Sequence, residues 1–213
     1  QDGVFHLREV SISTLRSDHK VTGSAAQVYV SPQFNDQGVW GPVAQARITL
    51  SGGLKVPMDV ESSMALAAYA TFERIYQFEH RLFGKTELHW PRQVALQLNL
   101  VDENSGEGER NNARYYADQD VIGIFPYSGQ GLPMAVNSAV LAHEHFHAHF
   151  HRAVLSSMRA ESLVVKEFSK MNFKEPTDYN WMVLRAWNEG LADFYAAVYT
   201  RAPHMLAASL GAL

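Results

Sequence analysis

The chain has 213 residues, of which 46% are hydrophobic and 19% charged, so it can bury a sizeable core and does not read as a disordered segment. A formal net charge of −4 gives no reason to expect nucleic acid or an anionic membrane as partner. The absence of cysteine excludes thiolate metal sites, thiol catalysis and disulfides, and no apolar run reaches the ~18 residues of a membrane span.

The chain opens with "QDGVFHLREV", with no initiator Met and no charged-then-apolar leader, as expected of a mature or trimmed product. The expected location is therefore outside the cytoplasm: secreted, periplasmic or in the cell envelope. "QVYVS" and "QARITLSGG" predict strands, punctuated by Gly, Pro, Asn and Asp. The period then changes. From Asp59 to Gly84, Leu66, Tyr69, Phe72, Tyr76 and Phe83 recur at helical spacing, with Asp59 as N-cap and Gly84 as the stop. The Tyr69, Phe72 and Tyr76 stripe reads as core. "QVALQLNL" predicts a further strand, and "VDENSGEGER" an acidic loop whose Asp102, Glu103, Glu107 and Glu109 lack the ordered spacing of a calcium loop. "NNARYYADQDVIGIFP" predicts a hairpin or a pair of edge strands. Gly129, Gly131 and Pro133 lead into a helix rich in histidine, and "TDYNWMVLRAWNEGLADFYAAVYT" predicts a last helix. Strands early and helices late predict an α+β fold. A β-rich segment over 1–55 precedes a second unit over 56–213, the two forming one continuous domain.

The helix "VLAHEHFHAHFHR" holds five histidines. Residues i and i+4 share one helical face, and three histidine pairs have that spacing: 143/147, 145/149 and 147/151. Only the first encloses a glutamate directly after its first histidine, giving H-E-x-x-H. Two imidazoles one turn apart can bind one Zn²⁺ side by side. Glu144, about 100° round the helix from His143, can face an attacking water as general base without being a ligand. A catalytic site wants a third protein ligand and a position left for water. "WNEGLADF" supplies Glu189 for that role. Asp193, one turn on, and Asn188 are suited to accept hydrogen bonds from the ligand histidines. His145 and His149 point about 200° away from the 143/147 face and read as packed or solvated side chains. His151 lies one turn beyond His147.

These motifs resemble the gluzincin metallopeptidases, and the thermolysin and fungalysin families in particular. "HEHFH" matches the zinc helix, "NEGLAD" the N-E-x-x-x-D third-ligand helix, and "NNARYY" the N-N-A-aromatic edge strand. The resemblance covers roughly residues 55–200. It implies a zincin-like fold: a β-rich N-terminal lobe, then a long helix, edge strands and zinc-binding helices. It implies an endopeptidase holding Zn²⁺ through His143, His147 and Glu189, with Glu144 as base and then acid. Asp193 and Asn188 would orient the histidines, and Asn112 and Ala113 would hold a peptide or protein substrate. An aminopeptidase is a rival, although no G-x-M-E-N run is present; a histidine-rich metal-binding module is another.

The chain also departs from that pattern. The gap between His147 and Glu189 holds 41 residues, more than twice the family's spacing, which predicts an inserted helix or helical loop around 156–178. The position of the family's calcium-binding carboxylate is Ala139. The helical C-terminal lobe that supplies the donor to the reacting oxygen is not seen, since 24 residues follow Glu189. The expectation is that a second chain or a removed segment supplies this lobe. Failing that, Tyr179 or His204 is the donor.

Overall fold

The computed structural model describes residues 12–16, 18–35, 38–84, 88–100, 108–129, 132–158 and 175–204. It is an α+β structure. Five strands come first: β1 (Ala26–Val30), β2 (Gln33–Asn35), β3 (Gly38–Trp40), β4 (Ile48–Ser51) and β5 (Leu54–Pro57). Helix α1 (Val60–Phe83) is followed by β6 (Arg92–Leu96), β7 (Ala113–Tyr116) and β8 (Val121–Ile124), and then by α2 (Ser138–Ala153) and α3 (Pro176–Thr200).

The main sheet has the order β1-β6-β8-β7. Strands β1, β6 and β8 run parallel, while β7 returns antiparallel to β8. All four residues of β8, "VIGI", are buried, the continuous apolar pattern of an inner strand covered on both faces. The expected pair of strands over 111–126 is therefore a hairpin with β8 inside and β7 at the edge. Two small hairpins stand apart from this sheet, β2–β3 and β4–β5. The second turns at Gly52 and Gly53, both at positive φ, as a two-residue turn between twisted strands requires.

Residue 55 is not a structural break. Strand β5 runs across it, β1 sits in the main sheet beside β6, and Ser13 and Thr14 donate to the Glu73 carboxylate on α1.

Helix α1 has the predicted limits. The Asp59 carboxylate accepts the Ser62 N–H at 2.7 Å, and Gly84, at φ 72°, ends the helix with its N–H on the His80 carbonyl. Met64, Ala65, Ala68, Tyr69, Phe72 and Ile75 form its buried stripe, and Glu79 continues that stripe. Asn137 caps α2 by accepting the Ala139 N–H, and Pro176 opens α3. Helix α1 lies against β1 and β6, α2 against β7 and β8, and α3 packs along α2. One core links the sheet to the helices. The outer side of α3 remains apolar and open: Trp187 and Phe194 are 63% and 67% exposed, and Leu191 and Val198 share their face.

No described helix is long and apolar enough to cross a membrane. The insertion expected at 156–178 falls mostly outside the described residues, as do Asp102, Glu103 and Glu107 of the acidic loop. Glu109 is described, and it pairs with Arg114 within its own loop and strand.

Candidate metal centre

The 143/147 face of α2 meets α3. The two imidazole rings stand at 90° with centroids 4.7 Å apart, and their Nε2 atoms are 3.0 Å from each other. Glu189 Oε2 lies 3.3 Å from His143 Nε2 and 3.6 Å from His147 Nε2. A tetrahedral ion with ligand bonds of about 2.0–2.1 Å would set its ligands about 3.3 Å apart. The three separations bracket that value.

Hydrogen bonding on the far side of each ring fixes what faces inward. His143 Nδ1 is 2.9 Å from Asp193 Oδ1, and His147 Nδ1 is 2.9 Å from Asn188 Oδ1. Both partners are acceptors, so each ring donates outward from Nδ1 and turns Nε2 inward. The two Nε2 atoms and a carboxylate oxygen then converge on one point. Such an arrangement calls for a proton or a metal cation among the three atoms, and the donor set of two imidazoles and a carboxylate suits zinc.

Glu144 is buried beside this trio, and its carboxylate can approach the two histidines closely. Burial pushes its carboxyl up to about 7, against the pull of the His147 ring and the Tyr115 N–H. The Tyr115 N–H donates to Glu144 Oε2 at 2.8 Å. That bond defines the edge of the sheet. The Phe125 N–H donates to the Asn112 carbonyl, so residue 112 faces β8. Residues 113 and 115, by the alternation of an antiparallel ladder, turn their backbone groups to the open side. Tyr115 is fixed from behind as well: its hydroxyl donates to Asp120, which is held bidentate by the fully buried Arg92.

Of the residues expected from sequence, the structure brings His143, His147, Glu189, Glu144, Asp193 and Asn188 together. Ala113 lies on the open edge, as expected of a residue that pairs with an extended peptide. The Asn112 side chain is committed locally, accepting the Ala113 N–H and donating to Glu109. Tyr179 is 52% exposed in the first turn of α3. It precedes Glu189 by ten residues, or about 15 Å of helix rise. His204 is exposed beyond the Arg201 cap that ends α3. Among the described residues neither makes a hydrogen bond or ion pair with the cluster. His151 packs its ring near Tyr115, with centroids 6.4 Å apart.

Two features escaped the sequence. One is the Tyr115 N–H, a backbone group that no motif marks. The other is the partner of the second pair on α2: His145 and His149, expected as packed or solvated side chains, both bond to the buried Glu79. The signal for Glu79 was present, since an acidic residue seven after Phe72 and four after Ile75 continues a core stripe.

Comparison with protein-family models and with curated protein sequences finds no match to this chain.

Proposed function

We propose that the chain is a zinc-dependent endopeptidase of gluzincin type with a zincin-like catalytic domain. The observation that carries this reading is the convergence of His143 Nε2, His147 Nε2 and Glu189 Oε2 at 3.0–3.6 Å, with both outer ring nitrogens bonded to acceptors and a buried glutamate alongside. Zinc held there would act as a Lewis acid toward a peptide carbonyl and make water nucleophilic at neutral pH. The protein's own groups do the rest. Asp193 and Asn188 hold the two rings in the tautomer that keeps Nε2 available. Glu144 is anchored through Oε2 by the Tyr115 N–H, which leaves Oε1 to take a proton from the attacking water and pass it to the leaving amine. On the open edge of β7 the N–H groups of Ala113 and Tyr115 are taken by Asn112 and Glu144, which leaves the two carbonyls to accept main-chain hydrogen bonds from an extended peptide.

The apolar stripe of Trp187, Leu191, Phe194 and Val198 on α3 supports a covering lobe or second polypeptide beside the site. Such a lobe would also be the source of the missing donor.

The test is Glu144→Gln, assayed on an unfolded protein such as casein together with zinc content. The expected result is retained zinc and a loss of hydrolysis of ~10³-fold or more, as for removal of a general base. Hydrolysis at the wild-type rate would refute the mechanism, and so would wild-type protein purified and equilibrated with zinc that binds none.

A further inference from the structure

We propose that Glu79, His145 and His149 form a second site for a divalent transition metal, on the face of α2 opposite the first. This inference does not depend on the peptidase reading.

The arrangement repeats the first one with a different partner helix. His145 and His149 are again i, i+4 on α2, with ring centroids 5.1 Å apart at 89°, against 4.7 Å and 90° for His143 and His147. Their carboxylate comes from α1, as Glu189 comes from α3. Glu79 Oε1 lies 2.8 Å from His145 Nε2 and 2.6 Å from His149 Nε2. The Tyr195 hydroxyl donates to the same oxygen at 2.8 Å.

Hydrogen bonding alone leaves this cluster unbalanced. Three donors crowd one carboxylate oxygen, while Glu79 Oε2, fully buried, has no partner among the described residues. A buried carboxylate ordinarily spreads its bonds over both oxygens, since an unpaired buried acceptor is destabilising. Its charge is met only by the two imidazoles: among the described residues no Lys or Arg pairs with Glu79, and the nearby Arg92 is committed to Asp120. A buried carboxylate wants a cation. A metal ion supplies one and gives Oε2 a role as a second ligand oxygen.

The change needed to admit the ion is small. Each ring moves its proton from Nε2 to Nδ1, and His145 Nδ1 has no partner among the described residues that would block this. The ligand atoms open from 2.6–2.8 Å toward the ~3.3 Å edge of a tetrahedral site. Tyr195 stays on Glu79 as the outer donor. Two imidazoles and a carboxylate favour zinc, copper or nickel over calcium or magnesium. The route in is past His149, whose side chain is 23% exposed, whereas His145 and Glu79 are sealed.

The probe is Zn²⁺ on the full chain, with bound metal counted after gel filtration and zinc-edge anomalous maps collected from wild-type crystals equilibrated with zinc. In the maps, a peak between Glu79 and His149 is expected in addition to one at His143 and His147. In solution, the double variant His143→Ala/His147→Ala is expected to keep one equivalent, lost when His149→Ala is added. No peak at Glu79 in the wild-type map overturns the proposal, even if His149→Ala fails to fold. So does a folded double variant that holds no zinc, or a triple variant that still holds its equivalent. A missing peak at His143 with a peak at Glu79 would instead count against the first centre and leave this one standing.

Discussion

If Asp193 holds His143 for zinc, then Asp193→Ala should weaken zinc binding by an amount the geometry fixes. The side chain accepts one hydrogen bond from a ring nitrogen at 2.9 Å, and that bond joins a charged acceptor to a histidine made more acidic by the ion. Such bonds contribute roughly 1.5–3 kcal/mol when shielded. The Asp193 side chain is 52% exposed, so water can replace it and screen its charge, which puts the expected loss at the low end, about 1.4 kcal/mol or tenfold in Kd. Asn188 makes the equivalent bond to His147 with a neutral acceptor, so Asn188→Ala should weaken binding by less, about two- to fivefold. Asp193→Asn keeps an acceptor and should fall between wild type and Asp193→Ala. The assay is competition against a chromophoric chelator at fixed pH and ionic strength, with circular dichroism to check the fold. Wild type and Asp193→Ala surrendering zinc at the same chelator concentration would refute the reasoning, because Asp193 would then be only a surface carboxylate.

Tyr179→Phe and His204→Ala should each leave kcat/KM within about twofold, since both lie away from the cluster; a loss of ~10²-fold in either would return the donor role to it. Asp120→Ala should destabilise the fold by about 3 kcal/mol in urea denaturation, because it strands the buried Arg92 guanidinium; an unchanged midpoint would show that the ion pair contributes nothing. Native mass spectrometry should find the chain associated through the α3 stripe, with Trp187→Ser/Phe194→Ser releasing it; a wild-type monomer with full peptidase activity would remove the covering-lobe idea.

Much of the architecture was legible because its signals are local. Asp59 and Gly84 bound α1 in both readings, since a capping carboxylate and a positive-φ glycine act within one turn of the chain. The i, i+4 spacing of His143/His147 and Glu189/Asp193 placed four side chains correctly, because helix geometry alone decides which residues share a face. What stayed hidden depends on pairing between distant segments. That β8 lies inside the sheet and β7 at its edge is set by β6, about 25 residues earlier. The local bonds of the Asn112 amide, to Glu109 and to the Ala113 N–H, likewise had no signal in the sequence. Glu79 belongs to no motif, and only the arrival of α2 and α3 over it makes it the centre of a buried cluster.

The spacing of the histidine tract has a further consequence once it is helical. Histidine at every second residue would line one face of a strand. In a helix, successive members fall about 200° apart, so the same letters divide into opposed sets. His143 and His147 look toward α3, and His145 and His149 toward α1. Each pair alone offers two nitrogens, too few to hold zinc firmly, and each acquires a carboxylate from the helix it faces, Glu189 on one side and Glu79 on the other. The third pair, 147/151, gains no such partner: His147 Nε2 is already turned to His143 and Glu189, and His151 packs near Tyr115. On the two proposals made above, the tract would not act as a sponge with five equivalent binding groups. Its capacity would be limited by the carboxylates that neighbouring helices bring to it, and the described residues bring two.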